Sequence, residues 1–282
     1  GKKKLTKKQL RKQIKKIPLN RIEEIKRTMK QMDEKKELFL SEAQREKLEN
    51  IRLDFIKKNN HLDSKIIQDM FKDFKTVYIY NTTAIEGNTL TIEETNFLLN
   101  ENKTPEGKDL KEVYDQINER EAFNFILKEK PEITVAIIIK IHAMLLKNID
   151  QRTGSFRLHN VRVFGASFDT TDAKYVNTDM EILMKWYNEN KRQLHPLVLA
   201  ALFHEKFERI HPFYDGNGRT GRMLINLILL RNDYPPLVIK NKDRMRYYAV
   251  LSTGHKAKLT ENENIAYQEI VDYFHEQLIK TY

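Results

Sequence analysis

Apolar residues recur three and four positions apart along most of the chain, which is the spacing of one face of an α-helix. This pattern predicts helices over residues 21–36, 43–58, 66–80, 108–128, 133–147, 179–189, 196–210, 220–232 and 264–279. Turn signals, such as the Lys-Thr-Pro-Glu-Gly run at 103–107, separate neighbouring helices. We therefore expect a mainly α-helical bundle with short connections.

One stretch departs from the helical spacing. Residues 155–168, which follow Gly154 and contain Gly165, mix β-branched and aromatic side chains with basic ones and indicate a short β-hairpin. A shift from Lys- and Glu-rich to mixed composition near residue 75 is the one candidate boundary. We accordingly divide the chain into an N-terminal helical region with a basic arm, residues 1–75, and a larger domain, residues 76–282.

Composition limits the classes of protein that the sequence can encode. With 282 residues, 40% of them hydrophobic and 32% charged, the chain can fold as one large globular domain. No apolar run approaches the roughly 18 residues of a membrane-spanning helix, and the basic start lacks the apolar segment of a signal peptide. The expected location is therefore the cytoplasm, without a membrane partner. The absence of cysteine excludes disulfides, thiolate zinc sites and a cysteine nucleophile.

The net charge of +10 is concentrated at one end of the chain. Nine Lys or Arg residues and no acid lie between Lys2 and Lys16, which leaves 41 basic and 40 acidic residues in the remainder. A basic arm can bind anionic partners such as nucleic acid, but a solvated helix explains the same charges at least as well. A nucleic-acid partner is therefore an alternative rather than the main expectation.

Polar chemistry concentrates after the helix at 196–210. This helix is expected to stop at His211, because Pro212 moves the residue before it away from α-helical backbone angles. A tight turn at residues 215–218, with the sequence Asp-Gly-Asn-Gly, then leads into a new helix near Arg219. Glycines allow close backbone approach, and a helix N-terminus supplies unpaired N–H groups, so this turn suits a bound phosphate.

The charged groups around this turn match the same ligand. Arg219 and Arg222 lie three apart on one helix face, and two guanidinium groups suit a polyphosphate. Asp215 offers a hard oxygen ligand for Mg²⁺, which usually binds through one or two carboxylates plus substrate phosphates. His211 is the only group there that can take a proton near neutral pH. These residues predict nucleotidyl or phosphoryl transfer.

Three other motif interpretations fail. Gly216, Gly218 and Gly221 spell G-x-G-x-x-G, but a dinucleotide site needs a preceding strand, and an amphipathic helix precedes these glycines. A P-loop would need Lys and then Ser or Thr after the last glycine, where this chain has Arg-Met. The pair His204 and Glu205 lacks the second histidine of the H-E-x-x-H zinc motif.

Residues 211–222, His-Pro-Phe-Tyr-Asp-Gly-Asn-Gly-Arg-Thr-Gly-Arg, resemble the Fic motif, H-P-F-x-D/E-G-N-G-R-x-x-R, with every defining position filled. The resemblance extends from about Tyr78 to about His255. It implies the Fic fold, a helical bundle with a small β-hairpin flap. It also implies a protein adenylyltransferase, which transfers AMP from ATP to Ser, Thr or Tyr hydroxyls of target proteins.

The resemblance further implies a role for each site residue. His211 would deprotonate the target hydroxyl, which attacks the α-phosphate of ATP and expels pyrophosphate, and Asp215 would hold Mg²⁺. The nucleotide would contact Val163, Phe164 and Gly165 in the flap, Gly216, Asn217 and Gly218 in the turn, and Arg219, Arg222 and Tyr247. The target would align with the flap as an added strand. Family members are often inhibited as dimers, so a homodimer is a further expectation.

A second motif implies regulation. Thr82, Glu86 and Gly87 fit the family's inhibitory pattern, S/T-x-x-x-E-G/N, which lies upstream of the active-site motif in members inhibited by an N-terminal helix. Glu86 would pair with Arg222, a bidentate match of carboxylate and guanidinium, and would occupy the arginine that ATP needs. In some members the same glutamate positions a water molecule that removes AMP, so deAMPylation is a second expected activity.

Two alternatives to AMP transfer remain open. One is a Fic-fold phosphotransferase of the Doc-like branch, but that branch replaces the glycine before the first motif arginine, so Gly218 favours AMP transfer. The other is a nucleic-acid-associated regulator that uses the basic arm for binding.

Overall fold

The computed structural model describes residues 39–61, 64–161, 170–257 and 263–282. Within these ranges it has ten α-helices: α1 Glu42–His61, α2 Ser64–Ile85, α3 Ile92–Glu101, α4 Leu110–Glu129, α5 Val135–Leu145, α6 Val176–Asn190, α7 Pro196–Ile210, α8 Asn217–Arg231, α9 Arg244–Ala257 and α10 Glu263–Thr281. Two single-turn 3₁₀ helices, Ala173–Tyr175 and Asn241–Asp243, lead into α6 and α9. The mainly helical prediction is confirmed. None of the described helices is long and apolar enough to cross a membrane.

Most of the predicted helices are present, with ends that differ by a few residues. α7 has the predicted bounds, whereas α8 begins at Asn217 instead of residue 220. α2 continues past the predicted end at residue 80 to Ile85, which brings the inhibitory motif onto the end of a helix. The helix predicted at 21–36 lies outside the described residues.

Two helices, α3 and α9, are absent from the sequence prediction. At the start of α3 the hydroxyl of Thr91 accepts a hydrogen bond from the backbone N–H of Glu94 (3.1 Å), and the Glu94 carboxylate accepts one from the N–H of Thr91 (2.7 Å). This capping box begins the helix, although the apolar run behind it is too short to show a period. α9 mixes basic, aromatic and small residues without one clear apolar stripe.

The β-hairpin expected at residues 155–168 is not shown. Residues 155–161 have no regular secondary structure, and no strand is assigned anywhere in the described ranges. The remainder of the segment, 162–168, lies outside the described residues.

The core is built around α7 and α8. α7 packs against α6, α8, α9 and α10, while the other sides of α8 pack against α2, α4 and α5. Every side chain of α8 from residue 219 to residue 230 is buried. The connection between these two helices, residues 211–216, therefore starts and ends in close-packed structure, which leaves its backbone little freedom to move.

Candidate active site

The motif histidine lies where α7 ends. His211 has φ 52°, in the left-handed region, and its N–H donates to the carbonyl oxygen of Phe207 (2.9 Å). A left-handed residue followed by Pro212 stops the helix and turns the chain toward α8. The backbone of His211 is thereby fixed at the helix exit, where the sequence predicts it.

Asn217 closes the connection between the helices. Its side-chain oxygen accepts a hydrogen bond from the N–H of Phe213 (2.9 Å), and its side-chain nitrogen donates to the carbonyl of Phe213 (2.9 Å). The amide is buried and both of its ends are used within the loop. What Asn217 can offer a phosphate is therefore its main-chain N–H, while its side chain shapes the turn.

Two glycines of the turn are needed for close approach. Gly216 caps α8 with φ 74°, and a Cβ there would lie 2.5 Å from the Leu146 side chain. A Cβ on Gly218 would lie 2.5 Å from Oε1 of Glu86 and 2.9 Å from Nη1 of Arg222. The space over Gly218, which the sequence analysis assigns to a phosphate, is thus beside a carboxylate oxygen of Glu86.

Arg222 is held by the end of α2. It is only 3% exposed, and its Nη2 donates to Oε1 of Glu86 (2.7 Å) and to the carbonyl of Thr82 (3.0 Å). Its Nε donates to the Thr82 hydroxyl (2.7 Å), so the expected pairing with Glu86 is present but uses one carboxylate oxygen instead of two. Burial would lower the pKa of Arg222, but the Glu86 carboxylate together with Tyr247 and Tyr78 keeps the pKa above its ordinary value.

The turn that carries Glu86 is tied to α4. The side-chain nitrogen of Gln116 donates to the Thr83 hydroxyl (2.8 Å) and to the side-chain oxygen of Asn88 (3.2 Å). Asn88 in turn donates to the carbonyl of Glu112 (3.0 Å). The position of the Glu86 carboxylate is therefore set by α4 as well as by its own helix.

The other motif arginine also faces a carboxylate. Arg219 is 3% exposed and forms an ion pair with Asp115 of α4, while its Nη2 lies 4.0 Å from Oδ2 of Asp215. Asp115 also pairs with Lys111 (3.0 Å). Asp115 could not be found from local sequence patterns, because 104 residues separate it from Arg219. Both motif arginines are therefore paired with carboxylates in this structure.

The surroundings of His211 keep its ring neutral. Burial is the largest influence and lowers the pKa of His211 to about 4. The carbonyl of Glu208 and the carboxylates of Glu86 and Asp215 act in the opposite direction, but they do not reverse the effect. At neutral pH the imidazole therefore has a lone pair that can accept a proton.

Arg157 is a second buried group that the sequence analysis did not assign to the site. Its guanidinium donates to the carbonyl oxygens of His211 (2.7 Å), His159 (2.9 Å) and Thr171, and its main-chain N–H donates to the carbonyl of Pro212 (2.9 Å). It is 1% exposed. Arg157 thus joins two separate chain segments to the loop that carries the histidine.

Asp215 has the geometry of an oxygen donor at the rim of the site. Its Oδ1 accepts a hydrogen bond from the N–H of Gly216 (2.6 Å), and its side chain is 55% exposed. Its carbonyl accepts a hydrogen bond from Nε2 of His142 (3.0 Å), whose ring stacks on Phe213. Burial lowers the pKa of His142 to about 4, so the neutral ring acts as donor. An oriented, exposed carboxylate of this kind fits Mg²⁺, which takes its remaining ligands from phosphates and water.

Tyr247, an expected nucleotide contact, is buried in this structure. Its ring is 1% exposed, its hydroxyl is hydrogen-bonded to Nε2 of His204 (2.6 Å), and the ring centre lies 6.0 Å from the guanidinium carbon of Arg222. Tyr247 therefore lies behind Arg222 and leaves almost no surface for an adenine ring, whereas the neighbouring Tyr248 is partly exposed. The expected flap contacts, Val163, Phe164 and Gly165, lie outside the described residues.

The fold and the site define a class of protein: a helical bundle that can hold phosphate groups at a helix N-terminus, with a neutral histidine at the exit of the preceding helix. Residues 132–229 match the sequence model of the Fic/DOC family. These residues therefore form a domain of the Fic/DOC family.

Similar proteins from animals are named protein adenylyltransferases. Protein adenylyltransferase fic-1 of Caenorhabditis elegans is 33% identical over 207 residues, which are 71% of this chain and 41% of that protein. Protein adenylyltransferase Fic of Drosophila ananassae is 34% identical over 208 residues, again 71% of this chain and 41% of that protein. The chain spans about two fifths of the length of the curated relatives it matches.

Solved structures show the same fold. A Fic domain-containing signaling protein from Bacteroides thetaiotaomicron superposes with a TM-score of 0.74 at 28% identity, over 82% of this chain and 93% of that chain. Fic-1 from Caenorhabditis elegans superposes with a TM-score of 0.69 at 29% identity, over 84% of this chain and 70% of that chain. The helical bundle is therefore the Fic fold.

Proposed function

We propose that this chain is a protein adenylyltransferase, which transfers AMP from ATP to a Ser, Thr or Tyr hydroxyl of a target protein. One observation carries the proposal: a single connection between α7 and α8 brings together a neutral His211, the N–H groups of a glycine turn and the buried Arg222. These are a base, a phosphate cradle and a counter-charge for polyphosphate. The names of the relatives support AMP as the transferred group.

In the proposed reaction a ring nitrogen of His211 accepts the proton of the target hydroxyl. The hydroxyl oxygen forms a bond to the α-phosphorus as the bond to pyrophosphate breaks, so pyrophosphate leaves with the bonding electrons. The N–H groups of Asn217 and Gly218, together with Arg219 and Arg222, stabilise the negative charge on the phosphates. AMP remains on the target as a phosphodiester.

Asp215 is the residue that would hold Mg²⁺ in this scheme. The ion would supply positive charge to the phosphate oxygens of ATP. The hydrogen bond from Gly216 orients the Asp215 carboxylate, and the half-exposed side chain leaves an oxygen accessible to solvent.

The resting state is proposed to be inhibited. Glu86 pairs with Arg222 and lies over Gly218, so its carboxylate competes with ATP for both the guanidinium and the turn. The hydroxyl and carbonyl of Thr82 also bind Arg222, and these bonds hold the guanidinium when Glu86 leaves. Activation therefore requires the Glu86 carboxylate to leave Arg222 and the space over Gly218.

The target is proposed to bind along a flap hairpin at residues 155–168, pairing its backbone with the hairpin as an added strand. The N-terminal region, 1–75, and the Fic domain, 76–282, would share α2, because Ser64–Ile85 is one continuous helix. A homodimer is the proposed assembly of the chain.

The same glutamate favours a second reaction, the removal of AMP from a modified target. The Glu86 carboxylate is 37% exposed while it contacts Arg222, so it can hold a water molecule at the edge of the phosphate turn. The water oxygen would bond to the phosphorus of the AMP group as the bond to the target oxygen breaks, so that AMP leaves and the target hydroxyl re-forms with a proton from the water.

Labelled ATP distinguishes AMP transfer from phosphate transfer. Glu86→Gly protein is incubated with Mg²⁺ and with ATP labelled in either the α- or the γ-phosphate. We expect label on protein from α-labelled ATP and none from γ-labelled ATP. Incorporation of the γ-label alone would show that the chain is a phosphotransferase.

A further inference from the structure

Beside His211 lies a buried carboxylic acid that the proposed reaction does not yet use. Glu208 stands three residues before His211, and its Oε2 is 3.8 Å from Nδ1 of the histidine ring. Among the described residues, Nδ1 of His211 and Oε1, the other oxygen of the Glu208 carboxyl group, are buried without a hydrogen-bond partner, and the main-chain carbonyl of Glu208 is near enough to the ring to raise the pKa of His211. This separation is longer than a hydrogen bond, but catalytic hydrogen bonds are often long before the substrate binds.

The helix opposite leaves room for this acid. A Cβ on Gly221 of α8 would lie 2.7 Å from Oε1 of Glu208 and 2.6 Å from Nδ1 of His204. The backbone of Gly221 is in a right-handed helix, so its conformation alone does not require glycine. Close approach does, and this glycine within the motif creates the space in which the Glu208 carboxyl group lies behind the histidine.

Ionisable groups on the elements packed around Glu208 influence its charge. Arg222 faces it from α8, Tyr247 from α9, Glu86 from the turn after α2, and His204 from its own helix. Burial is the largest influence and raises the pKa of Glu208 to about 8; Arg222 opposes this shift and Glu86 adds to it. Glu208 therefore changes its protonation state near pH 8.

We propose that Glu208 is a positioning residue that selects the tautomer of His211. An ionised Glu208 accepts the hydrogen of Nδ1, which leaves the lone pair of Nε2 to take the proton of the target hydroxyl. A protonated Glu208 donates its own hydrogen to Nδ1, so the ring hydrogen resides on Nε2. In that state His211 cannot act as a base at Nε2.

Two consequences follow for catalysis, and these rest on the proposed AMP transfer. The rate rises with pH as Glu208 loses its proton, because the fraction of the base-competent tautomer rises with it. The ionised carboxylate also stabilises the imidazolium that forms when the proton is taken. An amide at position 208 can do neither, because it does not titrate and carries no charge.

The tautomer is measured directly, without reference to activity. Protein labelled with ¹⁵N-histidine is titrated by NMR from about pH 6 to about pH 9.5, across the expected transition, and the His211 signals are assigned by their loss in His211→Ala. We expect the wild-type ring to change from the Nε2–H to the Nδ1–H form as pH rises, and Glu208→Gln to show no such change. A wild-type tautomer that is constant over this range contradicts the proposal, as does an identical titration in Glu208→Gln.

The kinetic consequence is tested in the Glu86→Gly background, with thermal melting as the check on folding. Glu86→Gly/Glu208→Gln should lose the rising limb of the pH–rate profile and be roughly 10-fold slower than its parent at high pH. Glu86→Gly/Glu181→Gln is the matched control, since Glu181 is an exposed glutamate on α6, and it should keep the parent profile.

The two proposals fail in different ways. If the Glu86→Gly parent adds no AMP, AMP transfer is wrong, whereas the NMR titration still decides the role of Glu208. If the parent is active and Glu208→Gln leaves the profile unchanged, AMP transfer stands, and the main-chain carbonyl of Glu208 is sufficient to hold the histidine. If Glu208→Gln does not fold, the wild-type NMR titration alone decides the proposal.

Discussion

The carboxylate of Glu86 lies 2.7 Å from Nη2 of Arg222, and its Oε1 is 2.5 Å from the position that a Cβ on Gly218 would take. One carboxylate therefore contacts the guanidinium and also fills the space above the phosphate turn. A polyphosphate and Glu86 cannot occupy this place together.

Removing the carboxylate should strengthen ATP binding. Glu86→Gly frees both Arg222 and the space over Gly218. Because the site is then no longer blocked by a carboxylate, we expect the affinity for ATP, measured by calorimetry, to rise roughly 10-fold. The control is Glu106→Gly, because Glu106 is an exposed glutamate that also precedes a glycine in a turn. If the two variants bind ATP equally, Glu86 does not compete with the nucleotide.

A methyl group at position 218 should affect both Glu86 and ATP, which compete for the space above Gly218. In the wild type, Gly218→Ala places a Cβ against the Glu86 carboxylate and should lower the melting temperature by several degrees. In the Glu86→Gly background the same substitution should cost less stability, because the main clash is absent. ATP binding should nevertheless be lost, since the methyl group occupies the cradle. Retained ATP binding in the double variant would show that the phosphate lies elsewhere.

The sequence predicts the local parts of this site well. The stop of α7 at His211 follows from Pro212, and the glycine turn and its two arginines lie within a few residues of each other, so spacing alone brings them together. The Asp115 pairing with Arg219 could not be predicted in this way, because it depends on how α4 packs against α8.

Side-chain direction is equally hard to read from sequence. Tyr247 matches the position of a nucleotide contact, but α9 turns its ring into the core toward His204. Which face of α9 is buried depends on its packing against α7 and α10. The helix itself was missed because its sequence has no clear apolar stripe, which is the main signal for an amphipathic helix.

The buried Arg157 should be a major source of stability for the loop of His211. Arg157→Met leaves the carbonyls of His211, His159 and Thr171 without this donor, so we expect a loss of about 3 kcal/mol in the free energy of unfolding. The matched control is Arg152→Met, whose guanidinium is 62% exposed in a surface pair with Asp150 and should matter by less than about 1 kcal/mol. Chemical denaturation measures both. Similar losses in the two variants would show that the hydrogen bonds of Arg157 do not stabilise the loop of His211.

The buried Glu119 should make stability fall as the pH rises. Burial raises its pKa to about 8 from an ordinary value of 4.5, despite the nearby Arg219 and Arg222. Between these values the unfolded chain releases the proton while the folded chain keeps it, so unfolding becomes easier with increasing pH. Glu119→Gln removes this dependence.

Thermal melting at about pH 5 and about pH 8 tests the effect of Glu119. The increase in melting temperature caused by Glu119→Gln should be larger at the higher pH. Glu121→Gln, at an exposed position of the same helix, should show no such difference. A gain that is equal at both pH values would mean that Glu119 is ionised in the folded protein.

The most direct test of AMP transfer is the intact mass of the protein after incubation with Mg²⁺ and ATP. The account predicts little change in the wild type, a covalently added AMP group on Glu86→Gly, and no addition on Glu86→Gly/His211→Ala. An adduct with the mass of a phosphate group, or an AMP adduct that persists without His211, would contradict it.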